Sequence, residues 1–130
     1  MAIPYVVRKK VDTISGEKKE LWYAVAKSTP KKGGMTEEDI ARRVSERTGF
    51  SRGVVEGILT EAFEAIEFSL GLGFSVNLKN LGSFQTAVTS KGFENPDEIT
   101  PGEVELSRIY FVADRKLTQR IRKEGFFREK

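Results

Sequence analysis

The chain has 130 residues, a net charge of +3, and a composition of 38% hydrophobic, 10% aromatic and 32% charged residues. This length accommodates one ordinary domain with an extension and this apolar content fills a modest core, which excludes a large multidomain enzyme and a fully disordered chain. Because the sequence has no cysteine and no histidine, it excludes a disulfide framework, thiol or imidazole catalysis and the usual zinc sites.

The sequence shows no secretory signal and no membrane span. Its first residues, Met1 to Tyr5, lack a basic start followed by an apolar run, and no stretch approaches the roughly 20 apolar residues that cross a bilayer. We therefore expect a cytoplasmic protein that makes no membrane contact.

The charge is distributed unevenly along the chain. Residues 1–34 carry a net +5 and residues 113–130 a net +4, whereas residues 35–90 and residues 91–112 each carry −3. Basic ends around an acidic middle indicate that the ends, rather than the whole surface, make any contact with a polyanion.

The first 34 residues predict a β-hairpin and a linker. Residues 5–11 and 20–26 are rich in β-branched and aromatic side chains, and residues 28–34 contain a proline and two adjacent glycines. The hairpin either extends the surface that contacts a polyanion, stacks Tyr5, Trp22 and Tyr23 on single-stranded bases, or covers apolar surface on the rest of the chain. The basic residues concerned are Arg8, Lys9, Lys10, Lys18, Lys19, Lys27, Lys31 and Lys32.

Two helices are predicted after the linker. A helix start is predicted at Thr36, which three acidic residues follow, and a helix end is predicted at Gly49. Ser51 begins a second helix, from about Arg52 to Leu70, that is apolar on two sides. A chain of this size has little interior for both sides, so we infer a partner chain, with the hairpin as the alternative cover. The two sides consist of Val55, Leu59, Ala62 and Ile66, and of Val54, Ile58, Ala65 and Phe68.

Three strands are predicted in the second half of the chain. Apolar and polar residues alternate over residues 74–79, a turn at 81–84 leads to a second strand over 85–90, and residues 104–111 follow as a third. The intervening residues 91–103 contain two prolines and two glycines, which predicts an irregular segment.

A final basic helix is predicted after Ala113. Ala113, Leu117 and Ile121 repeat every four residues and are expected on its buried face, and Gly125 ends it. The two phenylalanines at 126 and 127 are expected to pack back as a tail.

This order of elements resembles the bacterial histone-like family of HU and integration host factor. The most specific match is Val76 to Phe84 (VNLKNLGSF), which is similar to the family's strand and Gly-x-Phe turn. Residues 35–40, 48–52 and 111–117 resemble the start of the body, the turn between its first helices and the last strand running into the final helix. The resemblance covers residues 35 to about 121. The hairpin before this body is similar to a divergent HU-like branch of Bacteroidetes type.

The resemblance implies an α+β, HU-like fold. It consists of a helical dimerisation body with a three-stranded antiparallel sheet and β-arm, a short C-terminal helix and an added N-terminal β-hairpin. It implies a hairpin extension and linker at 1–34, an HU-like DNA-binding domain at 35–124 with the arm at about 88–106, and a tail at 125–130. It also implies a homodimer, whose interface residues are Val55, Ile58, Leu59, Ala62, Ile66 and Phe84.

The family's arms embrace duplex DNA from the minor groove, and a proline near each tip wedges between base steps. Asn95 and Pro96 take that position here, so Pro96 is the candidate intercalating residue, with a simple Asn-Pro turn as the alternative. Glu94, Asp97 and Glu98 depart from the family's basic arm, and an acidic arm should repel a phosphate backbone.

The resemblance and the positions of positive charge together select the candidate DNA-binding residues. Lysine and arginine are the side chains that bind phosphates most often. Arg52 and Arg115 match positions that are commonly basic in the family, and Lys79 lies beside the Gly-Phe turn. For each residue alone, a solvated surface charge is the alternative. The full set is Arg52, Lys79, Lys91, Arg108, Arg115, Lys116, Arg122, Lys123, Lys9 and Lys10.

The leading hypothesis is a sequence-nonspecific, architectural DNA-binding homodimer of the nucleoid with no cofactor, metal, small-molecule substrate or catalytic residue. The alternative is a protein-interaction module on the same fold that has lost DNA binding through its acidic arm. A helix-turn-helix repressor fits less well, because the second helix is about twice as long as a recognition helix and is apolar. An enzyme is the weakest hypothesis, since Glu61, Glu64 and Glu67 lie at helical spacing without a catalytic partner.

Overall fold

The computed structural model describes residues 2–12, 16, 19–27 and 34–129. The contacts divide the chain into two compact units, Met1–Thr36 with Gln119–Lys130, and Glu37–Thr118. In chain order the elements are β1 (Ile3–Asp12), β2 (Lys19–Ala26), α1 (Glu37–Thr48), α2 (Arg52–Gly71), β3 (Val76–Leu78), β4 (Gly82–Thr89), β5 (Glu105–Ala113), α3 (Arg115–Lys123) and β6 (Phe126–Arg128). This α+β architecture confirms the predicted fold class, while the domain limits taken from the family resemblance stay predictions.

The first unit contains a three-stranded sheet in the order β2-β1-β6. β1 and β2 pair antiparallel in the register that places Tyr5 opposite Ala26, as the predicted hairpin requires. The predicted tail forms strand β6, which pairs parallel with β1, and Lys27 forms an ion pair with Glu129 at 2.8 Å. The predicted hairpin turn and most of the linker lie outside the described residues, and so do Lys18, Lys31 and Lys32.

Both helices of the second unit start where the sequence predicts. α1 begins at Glu37, directly after Thr36, and its first turn is acidic. Gly49 separates the helices with a φ of 80°, a conformation that glycine adopts without steric cost. The Ser51 hydroxyl then accepts a hydrogen bond from the Val54 amide at 3.3 Å and caps α2.

The second unit also contains an antiparallel sheet in the order β3-β4-β5, whose strand limits differ from the prediction. β3 begins at Val76 rather than Phe74, because the Phe74 amide donates to the Ser69 carbonyl at 3.1 Å and completes the end of α2. β4 begins at Gly82 rather than Gln85, because Gly82 pairs with Ala113. Ala113 therefore belongs to β5, and its predicted place on the buried face of the last helix is wrong.

The segment predicted as the arm is a loop except at its two ends, which belong to β4 and β5. The pairing of β4 with β5 ends at Thr89 opposite Glu105. Between them lie two short 3-10 turns, Pro96–Glu98 and Pro101–Glu103, and each begins with a proline because its fixed φ suits the first position of a turn. The loop therefore does not continue the ladder of β4 and β5.

The core of the second unit is small. Among the described residues, the buried apolar side chains are Ala41 of α1 and Val55 of α2. By contrast, Ile58, Phe63 and Phe68 of α2 are 60%, 48% and 70% exposed. A helix with this much exposed apolar surface is typical of one that packs against a further partner surface.

Candidate nucleic-acid interface

The turn between β3 and β4 lies beside the start of α3. The Leu81 amide donates to the Leu78 carbonyl at 3.0 Å and closes this turn, in which Asn80 has a φ of 67°, a value that asparagine tolerates better than most residues. The Asp114 amide donates to the Leu81 carbonyl at 2.9 Å, one step beyond the pairing of Gly82 with β5. The backbone hydrogen bonding between these two segments therefore extends one bond beyond the sheet and holds the turn against the start of α3.

A polar concavity of about 540 Å³ lies at this junction. Lys79 lines it from the turn and Arg115 and Lys116 line it from α3, and all three side chains are exposed. Asp114 also lines it, but its Oδ2 accepts a hydrogen bond from the Lys116 amide at 3.0 Å, so this carboxylate caps α3. The concavity brings three predicted DNA-binding cations together, which is an arrangement that favours phosphate.

Further polar residues lie on one face of β4 and β5. Antiparallel pairing places Gln85 opposite Tyr110 and Ala87 opposite Arg108. The Arg108 guanidinium lies 4.9 Å from the centroid of the Tyr110 ring, and the Tyr110 hydroxyl donates to Gln85 Oε1 at 3.0 Å. Gln85 Nε2 donates to Ser83 Oγ at 3.1 Å. We call Ser83, Gln85, Arg108 and Tyr110 the polar ladder. Ser83 also lines the concavity, so the polar ladder and the concavity adjoin.

Arg52 is engaged by carboxylates. As the first residue of α2 it pairs through Nε with Glu56 Oε1 at 3.1 Å and through Nη2 with Glu38 Oε2 at 3.8 Å. Because two carboxylates offset its charge, a phosphate gains less from Arg52 than from a cation without such neighbours. Arg122 and Lys123 are exposed in the last turn of α3 and belong, by contacts, to the other unit.

The two predicted cations of β1 lie beside aromatic rings. The Lys9 ammonium forms an ion pair with Glu20 and lies 5.8 Å from the centroid of the Trp22 ring. The Lys10 ammonium lies 5.9 Å from the centroid of the Tyr23 ring. Trp22 is 65% exposed, so the first unit presents both charge and a ring face to solvent.

The predicted arm residues lie in acidic surroundings. Lys91 shares a concavity of about 440 Å³ with Glu103 and Glu105. Pro96 opens a 3-10 turn that Asn95 caps, since Asn95 Oδ1 accepts a hydrogen bond from the Asp97 amide at 3.1 Å. The Asn-Pro pair has the geometry of a capped turn, which is the alternative that the sequence left open.

The predicted dimer residues divide between the protomer core and an open groove. Val55 is 4% exposed and belongs to the core. An apolar groove of about 620 Å³ lies between α2 and the sheet, and Ile66 and Phe84 line it together with Phe63 and Ile109. The remaining predicted interface residues, which are exposed or half-buried on α2, are Ile58, Leu59 and Ala62.

Tyr110, Gln85 and Ser83 are polar residues of this surface that the sequence pattern did not single out. The signal that could have found them is the alternation within β5, which places Tyr110 on the same face as Arg108 and opposite to Ile109. Which residues of β4 join them depends on the register between the strands, and that register is a tertiary property.

Comparisons with known proteins point to one family. A family model described as "HU domain fused to wHTH, Ig, or Glycine-rich motif" matches residues 1–128. A crystal structure from Bacteroides vulgatus ATCC 8482, assigned as a bacterial DNA-binding protein, is similar with a TM-score of 0.61 at 13% identity. The match covers 99% of this chain and 50% of that one, so the chain spans about half the length of its relative.

The Anabaena HU–DNA cocrystal structure is similar with a TM-score of 0.45 at 22% identity, over 65% of this chain and 94% of that one. No curated protein matches the sequence. Across the described ranges, no helix has the length and apolar character of a membrane span, and no group of three or more metal-ligating side chains is arranged to hold an ion.

Proposed function

The chain belongs to the family of HU domains fused to a wHTH, Ig or glycine-rich motif, and we propose from this membership that it binds duplex DNA as a homodimer, without sequence preference, in an architectural role. The family is one of HU-type DNA-binding proteins, as the resemblance in the sequence predicts. The observation that carries the proposal is the concavity in which Lys79, Arg115 and Lys116 meet. Contacts between such cations and phosphates position a protein on DNA without reading its sequence.

The apolar surfaces of the second unit support the homodimer. The groove between α2 and the sheet, with Phe63 and Phe84 in its lining, is apolar and open, and Ile58 is 60% exposed on the same helix. A second copy that covers these surfaces buries apolar area and carries a second concavity to the same duplex.

The proposal is tested by titrating a labelled duplex of arbitrary sequence at several salt concentrations, with sedimentation of the protein alone to determine its oligomeric state. We expect a dimer whose affinity falls steeply with salt. The variant Lys79→Gln with Arg115→Gln should bind more weakly and lower the slope of log K against log salt by about 0.9 for each phosphate that the variant no longer neutralises. The matched control is Arg43→Gln with Arg47→Gln, which removes two exposed charges from α1.

A protein-interaction module is the second candidate. It is favoured by the net charge of −3 over residues 91–112 and by the two glutamates that line the same concavity as Lys91. If it is correct, the wild-type protein binds no duplex even at low salt, and neutralising the arm changes the binding of a protein partner instead. Equal salt slopes for the concavity variant and its control would also count against a DNA interface at the concavity.

A further inference from the structure

The two faces of the β4–β5 pair differ in chemistry. One face carries Phe84 opposite Phe111 and Thr86 opposite Ile109, and residues of this face line the apolar groove against α2. The other face carries the polar ladder. Because opposed residues of an antiparallel pair lie on the same face, the ladder and the groove are on opposite sides of the sheet.

The hydrogen bonds of the ladder fix the orientation of its central residues. Gln85 Oε1 accepts from the Tyr110 hydroxyl and Gln85 Nε2 donates to Ser83 Oγ, at 3.0 and 3.1 Å. Both polar ends of the Gln85 amide are therefore engaged, and its bond to the hydroxyl holds the far end of the Tyr110 side chain in place. Gln85 and Tyr110 are half-buried, so these bonds are partly shielded from competing water.

The fixed ring lies under an exposed guanidinium. The Arg108 guanidinium carbon is 4.9 Å from the centroid of Tyr110, a distance at which a cation–π contact orders the side chain. In the part of the chain that the structure describes, no carboxylate forms an ion pair with Arg108, whereas Arg52 has two carboxylate neighbours. A guanidinium that lies over a ring still has N–H donors directed away from the ring, and these remain available to an anion.

We propose that Tyr110, held by Gln85 and Ser83, is a positioning residue that preorganises Arg108 to bind a phosphodiester of duplex DNA. The proposal rests on the proposed DNA-binding function and deepens it. Preorganisation matters because a long side chain otherwise loses rotamer entropy when it binds. Ser83 lines the concavity of Lys79 and Arg115, so Arg108 extends the same cationic surface along the sheet and towards the acidic arm.

The charge of Arg108 is tested first, in the full chain, with a labelled duplex at several salt concentrations. Arg108→Gln should weaken binding by about tenfold at low salt and lower the salt slope by about 0.9 for each protomer that contacts DNA. The control is Arg47→Gln, which removes one exposed charge from the last turn of α1. If both variants weaken binding equally, Arg108 contributes only to net charge and the proposal fails.

The positioning role is tested by a double-mutant cycle between Arg108 and Tyr110. Tyr110→Leu should weaken binding severalfold in the wild-type background and leave the Arg108→Gln variant unchanged, because Tyr110 acts through Arg108. Tyr110→Phe keeps the ring but loses the hydroxyl that donates to Gln85, so it should weaken binding less than Tyr110→Leu does and should likewise leave the Arg108→Gln variant unchanged. Equal effects of Tyr110→Leu in both backgrounds would overturn the positioning role.

Two further readouts separate the causes of failure. Urea unfolding of each variant shows whether the sheet is intact, and Tyr110→Phe keeps the cycle informative if Tyr110→Leu does not fold. If the wild-type protein itself binds no duplex, the proposed function fails. If the wild type binds DNA but the effects of the Arg108 and Tyr110 substitutions on affinity are additive, DNA binding stands and the proposed role of Tyr110 is wrong.

Discussion

Gly82 is a residue at which the backbone leaves no room for a side chain. A Cβ added there would lie 2.3 Å from the Val112 carbonyl oxygen and 2.6 Å from Cζ of Phe111. The Val112 carbonyl belongs to β5 and lies next to the pair of Gly82 with Ala113. It therefore cannot move away without disturbing the backbone pairing of β4 with β5. The glycine of the predicted Gly-x-Phe turn is therefore required for close approach of the two strands.

We expect Gly82→Ala to lower the free energy of unfolding by about 2–3 kcal/mol, because the added methyl group overpacks the contact between strands. Urea denaturation measures the effect. Gly92→Ala is the matched control: nothing lies within 4 Å of its Cβ position, so stability should change by less than about 1 kcal/mol. Equal destabilisation by both substitutions would show that the close approach at Gly82 costs nothing.

Among the elements, α2 shows what a local signal specifies. Its start is determined by Ser51, which has extended φ and ψ values of −62° and 150° and caps the Val54 amide. Its exposed apolar residues, by contrast, have no partner within the local sequence. The cap determines where the helix begins, whereas tertiary packing determines which surface its apolar residues contact.

Ser51→Ala should lower the free energy of unfolding by about 1 kcal/mol, since the Val54 amide loses its acceptor. Ser51→Asp should retain most of the stability, because a carboxylate caps the same amide and suits the positive end of the helix dipole. Thermal unfolding at matched protein concentration compares the variants with Ser75→Ala, an exposed position between α2 and β3. A cap without energetic value would make Ser51→Ala indistinguishable from Ser75→Ala.

For the whole molecule, the exposed side of α2 should decide the oligomeric state. Ile58 is 60% exposed, and burying a lysine ammonium in an apolar interface is costly. Ile58→Lys should therefore shift the sedimentation of the protein from dimer to monomer and weaken DNA binding. Thr60→Lys introduces the same charge on the polar side of α2, between Glu56 and Glu64, and should leave the dimer intact. A dimeric Ile58→Lys variant would contradict this assignment of the interface.

The charge of the arm is also a property of the whole molecule. Glu94→Gln, Asp97→Asn and Glu98→Gln together remove three negative charges and raise the net charge of residues 91–112 from −3 to zero. Under the DNA-binding proposal we expect tighter binding at low salt and a smaller gain at high salt, because screening reduces the repulsion. The charge-matched control is Glu46→Gln, Glu61→Gln and Glu64→Gln on the helices, which should have less effect on the titration.

Patterns of neighbouring residues were sufficient for most of the fold. The hairpin strands, both helix starts and the basic last helix follow from alternation, caps and helical spacing, and these are local properties. The differences occur at Phe74, Gln85 and Ala113, where an element boundary depends on a hydrogen bond or a strand partner elsewhere in the chain. Such partners have no signal in the residues next to the boundary.

Composition, charge and the order of motifs by themselves determined the class of the protein, because they depend on residue identity alone. The tertiary structure decided which of the predicted cations lie together. Sheet pairing brings Lys79 to Arg115, and the contact of α1 with α2 brings Glu38 to Arg52. The effect of a charge on a ligand depends on its distance from other charges, and pairing between distant segments sets those distances.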